Sequence, residues 1–287
     1  MAAQRARSAR AAGALQPIPT ERRFIADGGI RFIVHVMASL ELKEIELARR
    51  ASLEHRGGIP ANPFLPYDKA LFVADLSATH LCLLNKYSVI DRHILIVTRA
   101  YEDQETPLTP ADLAALALCL NETDGLGFFN GGTTAGASQP HKHLQFVPLP
   151  LAAQGPRLPV EPLIAAALQA PPGEPRSAGG LPFRHALCRL ETFAAPELLQ
   201  AYRTLLAAAG LIRGADEPAD GVALPPYNLL VTRTWMLLIP RVRERIEGIS
   251  VNALGFAGSL FVRDEAEMAT LMRVGPMHML EAAARPA

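Results

Sequence analysis

The stretch ALFVADLSATHLCLLNKYSVIDRHILIVTR, residues 70–99, decides the fold class. It holds three aliphatic segments, 70–76, 80–86 and 93–99, each long enough for a strand. Their connections are short, which suits antiparallel neighbours, because a parallel pair needs a crossover of about a dozen residues or more. Further strands are read at IRFIVHVM (30–37) and GLGFFN (125–130), and YNLLVT (227–232) and WMLLIPR (235–241) read as a pair around a tight turn. Helices fall between these groups. One starts at Ser39, runs through Leu42, Ile45 and Leu47 into Arg50, and is stopped by Gly57-Gly58. A second opens at Thr109-Pro110-Ala111-Asp112, with an N-cap hydroxyl, proline in the first turn and an acid in capping range. A third covers PELLQAYRTLLAAAG (196–210), and a last stretch is capped by Asp264 and Glu267 and interrupted by Gly275 and Pro276. Strands grouped with strands predict an α+β fold with a mostly antiparallel sheet flanked by helices, not a βαβ repeat. Residues 150–182 are dense in Pro, Ala and Gly without a steady period and read as an exposed, mobile insertion.

Composition narrows the function classes. The 287 residues permit one large domain or two small ones. Lys+Arg and Asp+Glu are 28 each, so bulk charge argues against nucleic acid or an anionic membrane as partner. No apolar run approaches the ~20 residues of a membrane span. Cys82, Cys119 and Cys188 are far apart, odd in number and without a CxxC, which suits a reducing, cytoplasmic setting. Arg5, Arg7 and Arg10 lie in an acid-free first stretch, read as a basic first helix or frayed tail in preference to a transit peptide.

The chemistry concentrates in Gly136-Ala137-Ser138-Gln139-Pro140-His141-Lys142-His143-Leu144-Gln145. As a loop leading into a strand, this puts His141, His143 and Gln145 on one face, and Lys142, Leu144 and Phe146 on the other. The glycines and small residues upstream let backbone N–H groups approach an anion. A neutral imidazole is a competent nucleophile near pH 7, and attack on phosphorus divides one displacement into two. The attacking nitrogen must be unprotonated, so its partner should donate to a fixed acceptor such as a backbone carbonyl. Gln145 can donate to a phosphoryl oxygen but cannot shuttle a proton, which fits a leaving group that needs none. Three other readings stand at this point: a partial metal site lacking a local third ligand, polar residues of a wet groove, or surface residues without a role.

The run His141-Lys142-His143-Leu144-Gln145 resembles the H-x-H-x-Q motif of the transferase branch of the histidine-triad (HIT-like) superfamily. Residues 62–73, 83–99, 108–113, 128–145, 226–241 and 252–263 are similar, in order, to the ATP adenylyltransferase (diadenosine tetraphosphate phosphorylase) family. The resemblance implies a single HIT-like nucleotidyltransferase domain over 1–287, with the insertion at about 150–182. It implies reversible phosphorolysis of diadenosine tetraphosphate to ATP and ADP. His143 would be the nucleophile that carries AMP, Gln145 would hold the phosphoryl oxygens and His141 would shape the site. Lys43, Asn85, Lys86 and Asn130 match substrate-contacting positions. Gly136, Ala137, Ser138 and Gln139 would form the phosphate cradle, and Asn252, Ser259 and Arg263 fall in a late binding block. Arg263 stands where more familiar members have lysine, and Ala253 and Leu254 where they have hydroxyl residues. The expected partners are small-molecule nucleotides (diadenosine tetraphosphate, ATP, ADP) and phosphate. The expected cofactor is a divalent cation, Mg2+, accompanying the polyphosphate. The rivals are a hydrolase of the same superfamily, a sugar-1-phosphate uridylyltransferase and a nucleotide-binding sensor without turnover. Trp235 is assigned to the core, and His35, His55, His80, His93, His185 and His278 are read as isolated. Arg241, Arg243 and Arg245 are read as a solvated basic face.

Overall fold

The three segments of residues 70–99 pair as expected. In the computed structural model, which describes residues 2–37, 64–213 and 222–287, they become β3 (Phe72–Asp75), β4 (His80–Leu84) and β5 (Ile94–Thr98). Before them come β1 (Thr20–Asp27) and β2 (Ile30–Met37). After them come β6 (Gly125–Gly131), β7 (His143–Pro148), β8 (Ala186–Arg189), β9 (Tyr227–Val231) and β10 (Trp235–Pro240). The short pair β11 (Arg245–Ile246) and β12 (Ile249–Ser250) precedes β13 (Ser259–Val262). Eight strands form one antiparallel sheet in the order β3-β4-β5-β7-β6-β9-β10-β8. β1, β2 and β13 form a second sheet, with β2 and β13 parallel.

Both faces of the large sheet are covered. On one, Cys82, Ile96, Leu144, Phe146 and Met236 pack with the helices Pro110–Glu122 and Ala195–Ala208. On the other, Phe128, Val147, Leu230 and Leu237 pack with the small sheet and the helices Ala253–Phe256, Glu265–Val274 and Pro276–Ala283. Burial on both faces explains why β4, β9 and β10 read as continuous apolar runs instead of alternating ones. The helix start at Thr109 is the expected capping box. Its hydroxyl accepts from Asp112 N, and the Asp112 carboxylate accepts from Thr109 N at 2.7 Å. Asp264 caps the late helix and Gly275, at φ +90°, ends it, also as expected. Trp235 is buried.

Several expectations change. The segment 150–182 is exposed over about half its length, but it is anchored and not a mere surface insertion: Leu151, Leu158, Val160, Ile164, Ala178 and Leu181 are buried in the core cluster that also holds residues of the second sheet. It lacks a period because its apolar residues are placed one by one by turns and short helical pieces. β1, with sequence TERRFIAD, carries too many charges to read as a strand and is held by its full pairing with β2. The helix expected from Ser39 to Arg50, with Lys43 in it, lies outside the described residues. Among the described residues no helix is long and apolar enough to cross a membrane.

Candidate active site

His143 opens β7, in the middle of the large sheet, and His141 lies two residues before it. The alternation expected of a strand is present. Leu144 and Phe146 enter one core, while the imidazoles lie on the opposite face beneath aromatic neighbours. The Phe64 ring is 5.1 Å from His143 and 5.7 Å from His141, and Tyr101 is 5.3 Å from His141. Nδ1 of His143 donates to the carbonyl of His141 at 2.8 Å, leaving Nε2 as the nitrogen with the lone pair. Burial pushes the His143 imidazole down to about 4. The bond to the His141 carbonyl opposes this shift and the His141 ring adds to it. The ring is therefore neutral near pH 7. Nε2 of His141 donates to the Thr98 carbonyl at 2.8 Å, and burial lowers its pKa too.

Gln145 is oriented by a residue assigned no role in the sequence reading. Its Oε1 can only accept, so His93 Nε2 donates to it at 2.8 Å. His93 Nδ1 then accepts from Asn85 Nδ2 at 3.2 Å. Burial pushes His93 down to about 4, so it holds this neutral tautomer. The chain Asn85–His93–Gln145 turns the Gln145 N–H end away from His93. His93 is thus not isolated; antiparallel pairing of β5 with β7 puts it across from Gln145's end of the strand.

Behind the motif, Lys142 is buried on the reverse face. Its Nζ lies 2.7 Å from Glu102 Oε2 and 3.6 Å from Asp112 Oδ2, and donates to the Pro107 carbonyl at 3.0 Å. His80 Nε2 reaches the other oxygen of Asp112 at 2.9 Å. Burial raises the Asp112 carboxyl, but His80, Lys142 and Thr109 outweigh it and the net shift is downward. His80, like His93, has a partner that sequence spacing does not reveal.

The glycine loop and the late block meet. At Gly136, φ +90°, a Cβ would stand 2.8 Å from Asn252 Cβ and 3.0 Å from the Val251 carbonyl, so glycine is required for the close approach. Asn130 Oδ1 accepts from Asn228 Nδ2 at 2.9 Å and from Ala253 N at 3.0 Å, tying the late block to the sheet. Arg241 corrects the solvated-face reading. It is buried and donates to Ala135 O at 3.2 Å, to Val251 O at 2.8 Å and to Asn228 Oδ1, bracing the loop from below. Arg243 and Arg245 are exposed, as expected.

The remaining candidates are placed as follows. Lys86 is half-buried, with its ammonium 5.2 Å from the Tyr87 ring centre, and its carbonyl accepts from Gln16 N. Ala137 is buried, Ser138 is exposed and Gln139 is half-buried. Ser259 is fully buried on β13, with its hydroxyl 3.1 Å from His35 Nε2, and Arg263 pairs with Glu267. None of these Ser259 and Arg263 contacts is with the motif strand. Among the described residues no three His, Cys, Asp or Glu side chains converge on a common point.

Comparison with known proteins adds the following. The family model described as Ap4A phosphorylase N-terminal domain matches residues 1–166, and that described as ATP adenylyltransferase C-terminal domain matches residues 179–286. Diadenosine 5',5'''-P1,P4-tetraphosphate phosphorylase 2 of Saccharomyces cerevisiae is 28% identical over 235 residues, covering 73% of this chain and 71% of the relative. The crystal structure of yeast Ap4A phosphorylase Apa2 is similar at a TM-score of 0.78 and 24% identity, covering 99% of this chain and 93% of that one. The structure of the same yeast protein in complex with Ap4A gives a TM-score of 0.77 at 23% identity, covering 99% and 96%. These structural likenesses are likenesses of fold.

Proposed function

The chain belongs to the Ap4A phosphorylase family, and on that premise we propose that it catalyses reversible phosphorolysis of diadenosine tetraphosphate to ATP and ADP. The observation that carries the mechanism is the bond from His143 Nδ1 to the His141 carbonyl, in an imidazole kept neutral by burial. Nε2 attacks the phosphorus of one terminal AMP unit. The P–O bond to the triphosphate breaks, and ATP leaves as an anion that needs no proton. Gln145, held by His93, donates to the non-bridging oxygens as charge builds on them. Inorganic phosphate then attacks the adenylyl-His143 phosphorus, the P–N bond breaks, and ADP and the neutral imidazole are released.

His141 shapes the pocket, and Asn85, Lys86, Asn130, the loop 136–139 and Asn252, which packs against Gly136, contact the nucleotide and its phosphates, whereas buried Ser259 has a structural role beside His35. Lys43 belongs to the same set by sequence. A divalent cation, Mg2+, would accompany the polyphosphate and neutralise part of its charge, held by phosphate oxygens and water. We also read the chain as one domain, because β6 and β9, from its two halves, pair in one sheet. The cytoplasmic assignment is supported by three free, buried cysteines.

The test is product analysis. Purified protein is incubated with diadenosine tetraphosphate and Mg2+, with and without phosphate, alongside His143→Ala. Phosphate-dependent ATP plus ADP, absent in the variant, is the expected result. ATP plus AMP without phosphate would make it a hydrolase. Full activity in excess chelator would remove the cation.

A further inference from the structure

The antiparallel ladder between β6 and β7 runs from Gly125↔Pro148 to Phe128↔Gln145 and stops there. β6 continues to Gly131, paired only with β9. The two strands therefore part beside His143, which leaves room for the glycine loop but takes away the ladder partners of His143's main chain on the β6 side, while on the other side His143 stays across from Val97 of β5. A side chain from outside both strands supplies them. Gln104 Oε1 accepts from His143 N at 2.8 Å, and Gln104 Nε2 donates to the Asn130 carbonyl at 2.8 Å and to the His143 carbonyl at 3.2 Å. Gln104 is 1% exposed. Its own loop is fastened to the motif, with Gln104 N donating to the Pro140 carbonyl and Lys142 N to the Glu102 carbonyl, each at 2.8 Å.

We propose that Gln104 is a positioning residue for the nucleophile, a side-chain amide standing in for the missing strand at His143. The demand at this point is one N–H and two carbonyls, and a primary amide answers it with one acceptor oxygen and two N–H donors. The imidazole hangs from the same backbone, because its Nδ1 is bonded to the His141 carbonyl. Fixing the His143 main chain therefore fixes the direction of Nε2. It also fixes the gap to Asn130, whose side chain holds the late block. A shift of about 1 Å at a reacting group costs about 10²-fold in rate. The proposal rests on the reading of His143 as nucleophile.

The test compares Gln104→Glu and Gln104→Met with the parent enzyme, measuring kcat, KM and single-turnover labelling of His143 with AMP from about pH 5.5 to 8.5. An ionised glutamate keeps the shape and the acceptor but turns both donors into repulsion against two carbonyls. The expected result at about pH 8.5 is a kcat about 10²-fold lower with KM within about threefold. As the pH falls and the buried carboxyl protonates, it regains one O–H donor, and the kcat of Gln104→Glu recovers. Gln104→Met, with no donor, stays low throughout. The titratable groups around this position, His141, Lys142 and His143 on the motif with Glu102, Asp103 and Glu105 on its own loop, are common to all three proteins. Parent-like kcat in folded Gln104→Glu at pH 8.5, or a loss that tracks Gln104→Met at every pH, overturns the proposal. If Gln104→Glu does not fold, parent-like kcat and labelling in Gln104→Met overturn it. Should the parent enzyme itself carry no AMP on His143, the nucleophile reading fails, which is a separate result.

Discussion

The pH dependence of the first half-reaction follows from the burial of one imidazole. His143 is pushed to about 4 by burial, against an ordinary value of 6.5. At about pH 5.5 such a ring is ~97% neutral, whereas an unshifted one would be only ~10% neutral. The rate of AMP transfer to His143 should therefore be nearly flat from about pH 8 to 5.5 and halve only near pH 4. The structure thus places the rate at pH 5.5 about tenfold above that of an ordinary histidine. The substrate adds no slope of its own, since a dinucleoside polyphosphate has no terminal phosphate to titrate in this range. The assay is rapid-quench single turnover with excess enzyme, following the protein-bound AMP. Stability must be followed at the same time by circular dichroism, because its sign is known. His35, His93 and His143 each titrate at about 4 when folded and at 6.5 when unfolded. The unfolded chain thus binds more protons below pH 6.5, and folding stability declines from there towards pH 4. A half-maximal rate near pH 6.5 in protein that is still folded would refute the buried, neutral nucleophile.

Two further outcomes test the surroundings of the motif. Lys142→Met removes the cation from a site where Asp112 is fully buried, while Glu102 is partly exposed and counts for less. Leaving the buried carboxylate short of its charge partner should cost about 3 kcal/mol and lower Tm by several degrees, read by calorimetry, and an unchanged Tm contradicts it. His93→Leu removes the donor that turns the Gln145 amide. It should lower kcat about tenfold in both directions with little change in KM, and steady-state kinetics with unaltered kcat would detach His93 from the mechanism.

Local chemistry carried much of this protein in its sequence. The capping box at Thr109, the stop at Gly275 and the aliphatic strands of residues 70–99 are decided by neighbours a few residues apart. So are the opposite faces taken by His143 and Leu144, because strand geometry alone alternates them. The resemblance around His141, His143 and Gln145 also picked out the family. What the sequence left open are meetings between residues far apart. His93 faces Gln145 from just before β5, and Arg241 reaches Ala135 and Val251 from below the glycine loop. Gln104 reaches His143 because β6 and β7 separate where they do. No period or spacing encodes such contacts. Polar side chains like these look solvated when read alone, and they acquire roles only when folding removes water and each buried donor and acceptor must find a partner. The segment 150–182 is the apolar counterpart: without periodicity it reads as a surface insertion, yet the space beside the second sheet draws Leu158, Val160 and Ile164 inward. Local pattern determined the elements and the chemical type of the motif, and tertiary burial decided which polar residues serve it.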